Sequence, residues 1–235
     1  MVYNWLKIEH FCPLCDERCE GDHSLCSACE ADLPWLGGQC SICALPLPAA
    51  GMTCGQCLKR PPAFDHVATP WRFDFPVDSL ITRFKHQSRW PFGRLLAEQL
   101  ARHLLHAFDE GLPRPSALLP VPLAHKRLRQ RGFNQATMLA DWLSPVLEIP
   151  VRNDLLQRIH DTPSQQQLDA AARHRNLRRA FALPDPQPLR GQHWAIIDDV
   201  LTTGATAEAL ARLLKRAGAT RVDIYCLART PKPGD

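Results

Sequence analysis

Beyond position 60, the apolar residues recur with two different periods that alternate along the chain. Short apolar runs predict strands, whereas Val77, Leu80, Ile81 and Phe84 stand three or four positions apart, as on one face of a helix. Asn134 predicts a helix start, because its side-chain carbonyl can accept a hydrogen bond from an otherwise unbonded amide. The predicted strands are 65–73, 117–121, 193–198 and 221–227, and the predicted helices are 76–86, 94–108, 134–143 and 206–217. This alternation predicts an α/β domain whose parallel sheet is covered on both faces.

The first sixty residues differ from the rest in charge. The chain has 235 residues, 45% of them hydrophobic, which suffices for one ordinary core and a small additional module. Pro61 and Pro62 disfavour helix and predict a linker, so we divide the chain into domains 1–60 and 61–235. The net charge is +4, but the first sixty residues have four basic and seven acidic side chains, which leaves +7 for the rest. This excess suits a phosphate ester, pyrophosphate or nucleic acid, and it suits a solubilising surface equally well.

The lengths of the apolar runs indicate whether the chain could span a membrane. None approaches the roughly eighteen residues that a membrane-spanning helix needs, and the N-terminus has no basic segment followed by an apolar one. We therefore expect a cytoplasmic protein without membrane insertion. A reducing compartment keeps thiols free, so the ten cysteines favour metal binding over disulfides.

Eight of the ten cysteines form a duplicated pattern, in which the second copy follows the first at an offset of 28 residues. In each copy, two pairs with two intervening residues stand ten residues apart. The short spacing lets both thiolates of a pair reach one tetrahedral ion, and a second pair completes the shell. Because four thiolates leave no open position, the sequence predicts two structural zinc sites and no catalytic one. The predicted ligands are Cys12, Cys15, Cys26, Cys29, Cys40, Cys43, Cys54 and Cys57.

Spacing alone leaves other arrangements of this module open. Pairs from different repeats can share an ion, and a disulfide scaffold is the other alternative, although nothing else in the sequence indicates an oxidising compartment. Cys19, His10 and His23 are further candidate ligands, but two complete quartets make them bystanders. With so little apolar material, the module is expected to fold only when metal is bound.

The strongest chemical signal outside the cysteines lies at 194–206. The apolar strand 194–197 leads into Asp198 and Asp199 at its carboxyl end, where open parallel sheets bind ligands. A loop of hydroxyls and one glycine then opens directly into a helix, whose free amides and positive dipole suit a phosphate group. The two carboxylates suit the ribose 2′ and 3′ hydroxyls and a Mg²⁺ ion shared with pyrophosphate. The loop residues are Thr202, Thr203, Gly204, Ala205 and Thr206.

Two rival nucleotide sites lack their required residues. A strand that ends in two acids also occurs in Walker-type hydrolases, but none of the twelve glycines precedes a lysine, so the phosphate-binding lysine loop is absent. No Gly-x-Gly-x-x-Gly motif occurs either, which excludes the dinucleotide fingerprint. An ordinary strand, turn and helix with solvated acids remains the simpler alternative.

The run 196–206 resembles the phosphoribosyl-pyrophosphate loop of type I phosphoribosyltransferases. Together with the two cysteine quartets it resembles the ComF family of late-competence proteins, and this likeness covers nearly the whole chain. The other matching stretches are Arg83-Phe84-Lys85-His86, Val121-Pro122-Leu123, Arg127, Arg129, Arg131-Gly132-Phe133-Asn134-Gln135, Gln165 to Leu168, and Arg173-His174-Arg175-Asn176-Leu177.

The resemblance implies a type I phosphoribosyltransferase fold that binds phosphoribosyl pyrophosphate with Mg²⁺. Val121 and Pro122 would then belong to the pyrophosphate loop, and Asp198, Asp199 and Arg131 would be the catalytic residues. Residues 158–167 would form a closing loop, with Arg158 or Arg173 stabilising the leaving group. Two functions stay open: a phosphoribosyltransferase, or a non-catalytic adaptor in uptake of transforming DNA that senses a nucleotide metabolite or contacts single-stranded DNA and competence proteins.

Overall fold

The computed structural model describes residues 11–19, 24–159, 180–184 and 189–232. Its strands are β1 His66–Ala68, β2 Trp71–Arg72, β3 Ala117–Pro120, β4 Gln157–Arg158, β5 Phe181–Ala182, β6 His193–Leu201 and β7 Arg221–Arg229. Its helices are α1 Ser27–Ala31, α2 Gly55–Lys59, α3 Val77–Gln87, α4 Trp90–Asp109, α5 His125–Arg131, α6 Gln135–Leu147 and α7 Ala205–Arg216. In the part of the chain that these ranges cover, no helix is both long and apolar enough to span a membrane.

The centre of the fold is a parallel sheet in the order β1, β7, β6, β3, with β2 as a second partner of β7. The two central strands pair along their full length, from His193 opposite Arg221 to Leu201 opposite Arg229. Strands β4 and β5 form a separate antiparallel ribbon. The predicted parallel α/β sheet is thus confirmed.

Both faces of the sheet are covered. Successive side chains of β6 point to opposite faces, and each set packs in a different apolar cluster. Ala195 and Ile197 pack in one apolar cluster with residues of α3, α4 and α6. Trp194 and Ile196 pack in the other, with residues of α7 and the second cysteine quartet. The N-terminal module therefore contributes to the core of the larger domain.

Backbone hydrogen bonds also join the module to the sheet. The Leu36 amide donates to the Pro70 carbonyl at 2.8 Å, and the Arg72 amide donates to the Pro34 carbonyl at 2.9 Å. Beside them the rings of Trp35 and Trp71 lie 5.6 Å apart. The module is consequently held against the β2 edge by the main chain as well as by side chains.

The helices and strands depart from the sequence prediction in several places. The strand predicted at 65–73 is divided into β1 and β2, α4 begins at Trp90, β7 continues to Arg229, and the β4–β5 ribbon was not predicted. Strand β6 continues to Leu201, because β7 provides pairing partners beyond the point where β3 ends at Pro120. Helix α6 runs to Leu147 through Pro145, while its predicted cap is confirmed by a 3.1 Å bond from the Ala136 amide to the Asn134 side chain. Helix α5 was not predicted as a separate element, because its seven residues include no buried position and so show no apolar period.

Candidate functional site

The two cysteine quartets each converge on a single point. In both, the four sulfur atoms lie within 4.8 Å of one another. Cys15 and Cys26 Sγ are 3.5 Å apart, and Cys43 and Cys54 Sγ are 3.7 Å apart. A tetrahedral zinc with Zn–S bonds of about 2.3 Å requires sulfur separations of about 3.8 Å, so both quartets fit the ion. The alternative in which cysteine pairs from different repeats share an ion is wrong, since the four cysteines of each quartet come from one repeat.

In each quartet, backbone amides stabilise the thiolate form of one cysteine, the form that zinc binds, whereas burial raises the pKa of Cys29 and of Cys57. Burial opposes ionisation of Cys12, but the amides of Cys26, Leu14 and Cys15 donate to its sulfur and lower its pKa to about 6. The pKa of Cys40 is lowered to about 6 by the equivalent amides, also against burial. The convergence of the sulfur atoms supports two structural zinc sites, whose ligands are Cys12, Cys15, Cys26, Cys29, Cys40, Cys43, Cys54 and Cys57. Cys19 lies outside the first quartet, and His10 and His23 lie outside the described residues.

Asp198 and Asp199 lie in β6, three and two positions before its last residue, Leu201. At this point β6 still pairs with β7 but no longer with β3. Their side chains point to opposite faces of the sheet, because they are neighbours in a strand. Each accepts a hydrogen bond from the next amide: Asp199 N lies 2.9 Å from Asp198 Oδ1, and Val200 N lies 2.8 Å from Asp199 Oδ1. Asp199 is buried, at 4% exposed, and Asp198 is partly buried. The carboxylates are thus fixed by their own backbone.

Lys85 of α3 brings a positive charge into this acid pair. Its Nζ atom lies 2.5 Å from Asp199 Oδ2, and the two side chains are only 22% and 5% exposed. Burial lowers the pKa of Lys85 to about 8, with Arg131 and Arg127 acting in the same direction and Asp198 against them. Burial also raises the pKa of Asp198 to about 6, although Lys85 partly offsets it.

Sequence reasoning assigned no role to Lys85, although it lies in a stretch that matched the family. A signal was present, because Lys85 stands four residues after Ile81 and therefore on the apolar face of α3. A lysine on such a face needs a counter-charge. Its partner is 114 positions away in the sequence, however, and local pattern does not identify it.

The loop after β6 presents backbone and hydroxyl groups beside the acid pair. Gly204 adopts φ 75°, the left-handed conformation that favours glycine, and it caps α7. The Ala205 amide donates to Thr203 Oγ1 at 3.4 Å, while the side chains of Thr202 and Thr203 are exposed. Ala205 and Thr206 form the first turn of α7, so the helix begins where the sequence predicted the phosphate site.

The predicted pyrophosphate loop lies against the same strand. The Val121 amide donates to the Ile197 carbonyl at 3.0 Å, directly before the acid pair, and Pro122 follows it. Asn134 Nδ2 donates to the Val121 carbonyl at 3.0 Å, which fixes the loop to the start of α6. Arg131 ends α5, and its guanidinium donates to the Gln135 side chain. Burial and then Arg127 lower the pKa of Arg131.

Residues 160–179 lie outside the described residues, and they include most of the predicted closing loop 158–167 as well as Arg173. Arg158, at its start, lies in β4, and its guanidinium stacks at 5.4 Å over the Phe181 ring of β5. The structure therefore places Arg158 in a short ribbon, in contact with an aromatic ring.

Two families match the chain, and together they cover both of its parts. Residues 9–58 match the double zinc ribbon domain, and residues 134–234 match the phosphoribosyl transferase domain. The DNA utilization protein YhgH of Escherichia coli O157:H7 is 35% identical over 220 residues, which cover 93% of this chain and 90% of that protein. The chain belongs to the ComF family.

Other ComF relatives carry names that refer to competence. Competence protein F of Haemophilus influenzae is 36% identical over 174 residues, covering 73% of this chain and 76% of the relative. Competence protein ComFC of Bacillus subtilis is 26% identical over 223 residues, covering 94% and 78%. Among solved structures, a purine phosphoribosyltransferase from Pyrococcus horikoshii is 19% identical, covers 57% of this chain and 73% of its own, and has a TM-score of 0.37. The ComF assignment and the double zinc ribbon joined to a phosphoribosyltransferase-type α/β domain are thus confirmed.

Proposed function

We propose that this ComF protein binds phosphoribosyl pyrophosphate, or a related ribose phosphate, at the edge of the sheet where β6 meets α7. The observation that carries the proposal is the joint position of a buried acid pair and an exposed threonine loop at the start of a helix. Carboxylates accept hydrogen bonds from ribose hydroxyls, and a helix N-terminus with free amides binds phosphate.

Each part of the ligand then has a matching part of the site. The loop Thr202, Thr203, Gly204, Ala205 and Thr206 receives the 5′-phosphate. Asp198 would accept from the ribose hydroxyls, while Asp199, on the opposite face and paired with Lys85, would support the strand there. Val121, Pro122 and Arg131 would lie on the pyrophosphate side.

Magnesium fits the oxygen donors of this site, and when bound with the ligand it supplies positive charge to the pyrophosphate oxygens. The Asp198 carboxyl is the available donor, because Asp199 already has Lys85 at 2.5 Å. In the transfer reaction, the acid pair and the threonine loop would orient the ribose, and the guanidinium of Arg131 would hold the departing pyrophosphate.

Titration calorimetry with phosphoribosyl pyrophosphate and Mg²⁺ tests the binding proposal. Wild-type protein should release heat with a stoichiometry of one site per chain. Asp198→Asn should lose at least about tenfold in affinity, since the hydrogen bonds that a carboxylate accepts from ribose hydroxyls contribute more than about 1.4 kcal/mol. The matched control is Asp154→Asn, because Asp154 is exposed and its ion pair among the described residues is with Arg152. Equal heats from wild type and Asp198→Asn would contradict the site assignment.

The same preparation distinguishes an enzyme from a sensor. Steady release of pyrophosphate, with the phosphoribosyl group passing to water or to an added acceptor, supports catalysis of the phosphoribosyltransferase type, whereas binding without release supports the non-catalytic adaptor. For either function we also propose cytoplasmic localisation. We further propose that 1–60 is the zinc ribbon domain and that 61–235 is the phosphoribosyltransferase-like domain.

A second candidate function, contact with single-stranded DNA, is favoured by α5. This helix has the sequence HKRLRQR and no buried residue. Among the ion pairs of the described residues, none involves α5, so its charge is not neutralised by a protein carboxylate. An exposed row of cations suits a phosphate backbone. The helix ends at Arg131, beside the proposed ribose phosphate site.

A further inference from the structure

The guanidinium of Arg229 connects the second zinc site to the phosphate loop. Arg229 ends β7 and is 7% exposed. Its Nε donates to the carbonyl of Cys43, a zinc ligand, at 3.0 Å. Its Nη1 donates to the carbonyls of Leu201 at 2.9 Å and of Thr202, the first residue of the loop. One planar group thus contacts a metal-binding segment and a ligand-binding segment.

Arg229 holds these segments through carbonyl groups. In the part of the chain that the structure describes, no carboxylate forms an ion pair with it, and a further bond goes to the Thr230 carbonyl at 2.7 Å. A buried charge is costly unless its donors are all satisfied, so the guanidinium stays in place only while the carbonyls surround it. If the Cys43 segment moves, Arg229 loses one support and the loop carbonyls lose the fixed donor.

The second zinc site also shares an apolar core with the phosphate loop. Its cysteines lie in one cluster with Leu201, Ala207 and Leu210, which flank the loop on both sides. Just after the ribbon, the Ala63 amide donates to the Glu208 carboxylate in the first turn of α7 at 2.6 Å. Movement of the ribbon would therefore reach the loop through packing as well as through Arg229.

The first zinc site has a different environment. Its buried cysteine, Cys12, lies in the cluster on the opposite face of the sheet with residues of α3 and α4, and Cys26 and Cys29 pack against that cluster. Its ion pair to the larger domain joins Glu30 to Arg102 of α4 at 3.0 Å. Within the described residues, the chain therefore offers two quartets of equal design, of which the second is connected to the phosphate loop through Arg229 and a shared apolar cluster and the first packs on the other face of the sheet.

We propose that the second zinc site sets the conformation of the phosphate loop, with Arg229 as the positioning residue between them. Loss of zinc from the second site then lowers the affinity for a ribose phosphate, while loss from the first site does not. The affinity part of this inference rests on the proposed function. The effect on the loop itself does not, because it is measured without ligand.

The test uses Cys54→Ser and Cys26→Ser in the full chain. These two residues occupy equivalent positions, since each caps the short helix of its ribbon and accepts from the amide three residues later. Serine is itself a good helix cap, so the difference between the variants reports the metal site. Measurements are the zinc content by elemental analysis, hydrogen exchange of the loop amides 202–206, and titration with phosphoribosyl pyrophosphate.

Both variants are expected to lose one zinc per chain. Cys54→Ser should exchange its loop amides about tenfold faster and bind ligand about tenfold more weakly, as loss of a fixed hydrogen-bond network predicts, and Cys26→Ser should stay within about twofold of wild type. If a variant keeps both ions, the pairs Cys54→Ser/Cys57→Ser and Cys26→Ser/Cys29→Ser replace it. Equal effects of the two sites, or an unchanged loop after loss of the second zinc, would overturn the proposal.

Arg229→Lys tests the connecting residue separately. Lysine keeps the charge but lacks the planar guanidinium that contacts four carbonyl groups at once. The expected result is faster exchange of residues 202–206 with both zinc ions retained, which a simple loss of metal would not give. Unchanged exchange in Arg229→Lys would refute the role of Arg229. If wild-type protein fails to bind phosphoribosyl pyrophosphate, the proposed function fails, and the exchange and zinc measurements still decide this inference.

Discussion

The Lys85–Asp199 ion pair offers the sharpest test of how the site is built. Replacing Lys85 by Met leaves a carboxylate that is 5% exposed without its 2.5 Å counter-charge. Removing one partner of a fully buried pair costs roughly 3–5 kcal/mol. Because Lys85 keeps 22% of its side chain exposed, the pair is not fully buried, and we expect a smaller loss of about 2–3 kcal/mol in the free energy of unfolding.

The measurement is urea unfolding followed by tryptophan fluorescence, with zinc present so that the ribbon stays folded. A double-mutant cycle with Lys85→Met, Asp199→Asn and the double variant isolates the pair, because the double variant leaves neither charge buried alone. We expect a coupling free energy of about 2 kcal/mol. The matched control is Arg152→Met with Asp154→Asn, an exposed pair at 2.8 Å whose coupling should lie below about 1 kcal/mol.

Additivity would refute this reasoning. If Lys85→Met and Asp199→Asn add to within about 0.5 kcal/mol, the two groups do not interact in solution, and Lys85 is not the counter-charge of the acid pair. A coupling no larger than that of Arg152 and Asp154 would have the same meaning.

Two further predictions concern Asp198 and α5. Because burial raises the pKa of Asp198 to about 6, the folded chain keeps a proton that the unfolded chain releases from about pH 4 upward, so stability falls as the pH rises through this window. Asp198→Asn should therefore be more stable than wild type by about 1–3 kcal/mol near pH 7.5 but not near pH 4, and urea unfolding that shows a loss at the higher pH contradicts this. Replacing Lys126 and Arg129 of α5 by Ala should weaken binding of single-stranded DNA and reduce the slope of log affinity against log salt by about 1 to 1.5, while Arg152→Ala leaves both unchanged. Binding that is independent of salt would exclude the contact.

The zinc module and the sheet were predictable because their signals are local. The cysteine spacing predicts two quartets, and strands β3, β6 and β7 each show a continuous apolar run. The pairing of the quartets was not predictable, since both pairings satisfy the same two-residue spacing. The fold decides it, since the sulfur atoms that converge belong to one repeat in each case. Within the second repeat, the Cys54 amide also donates to Cys40 Sγ at 3.3 Å.

The acid pair and the loop were also predictable, whereas the residues that support them were not. Asp198, Asp199 and Gly204 lie in one short segment of the sequence, so the chain itself keeps them close together. Lys85 and Arg229 reach the same region from α3 and from the end of β7, and their partners are fixed by tertiary packing. Charged residues that end or interrupt apolar runs are the only local sign of such contacts.

The two acids of the site obtain their counter-charges differently, and this determines what a ligand displaces. Asp199 has the ammonium of Lys85, whereas Asp198 reduces its charge by holding a proton up to about pH 6. Under the proposed function, ribose hydroxyls that donate to Asp198 would favour its ionised form, so binding there would release the proton and would weaken as the pH falls below about 6. Lys85, with a pKa of about 8, stays charged throughout that range. The site therefore keeps one fixed cation for the acid pair while its second carboxyl remains free to respond to the ligand.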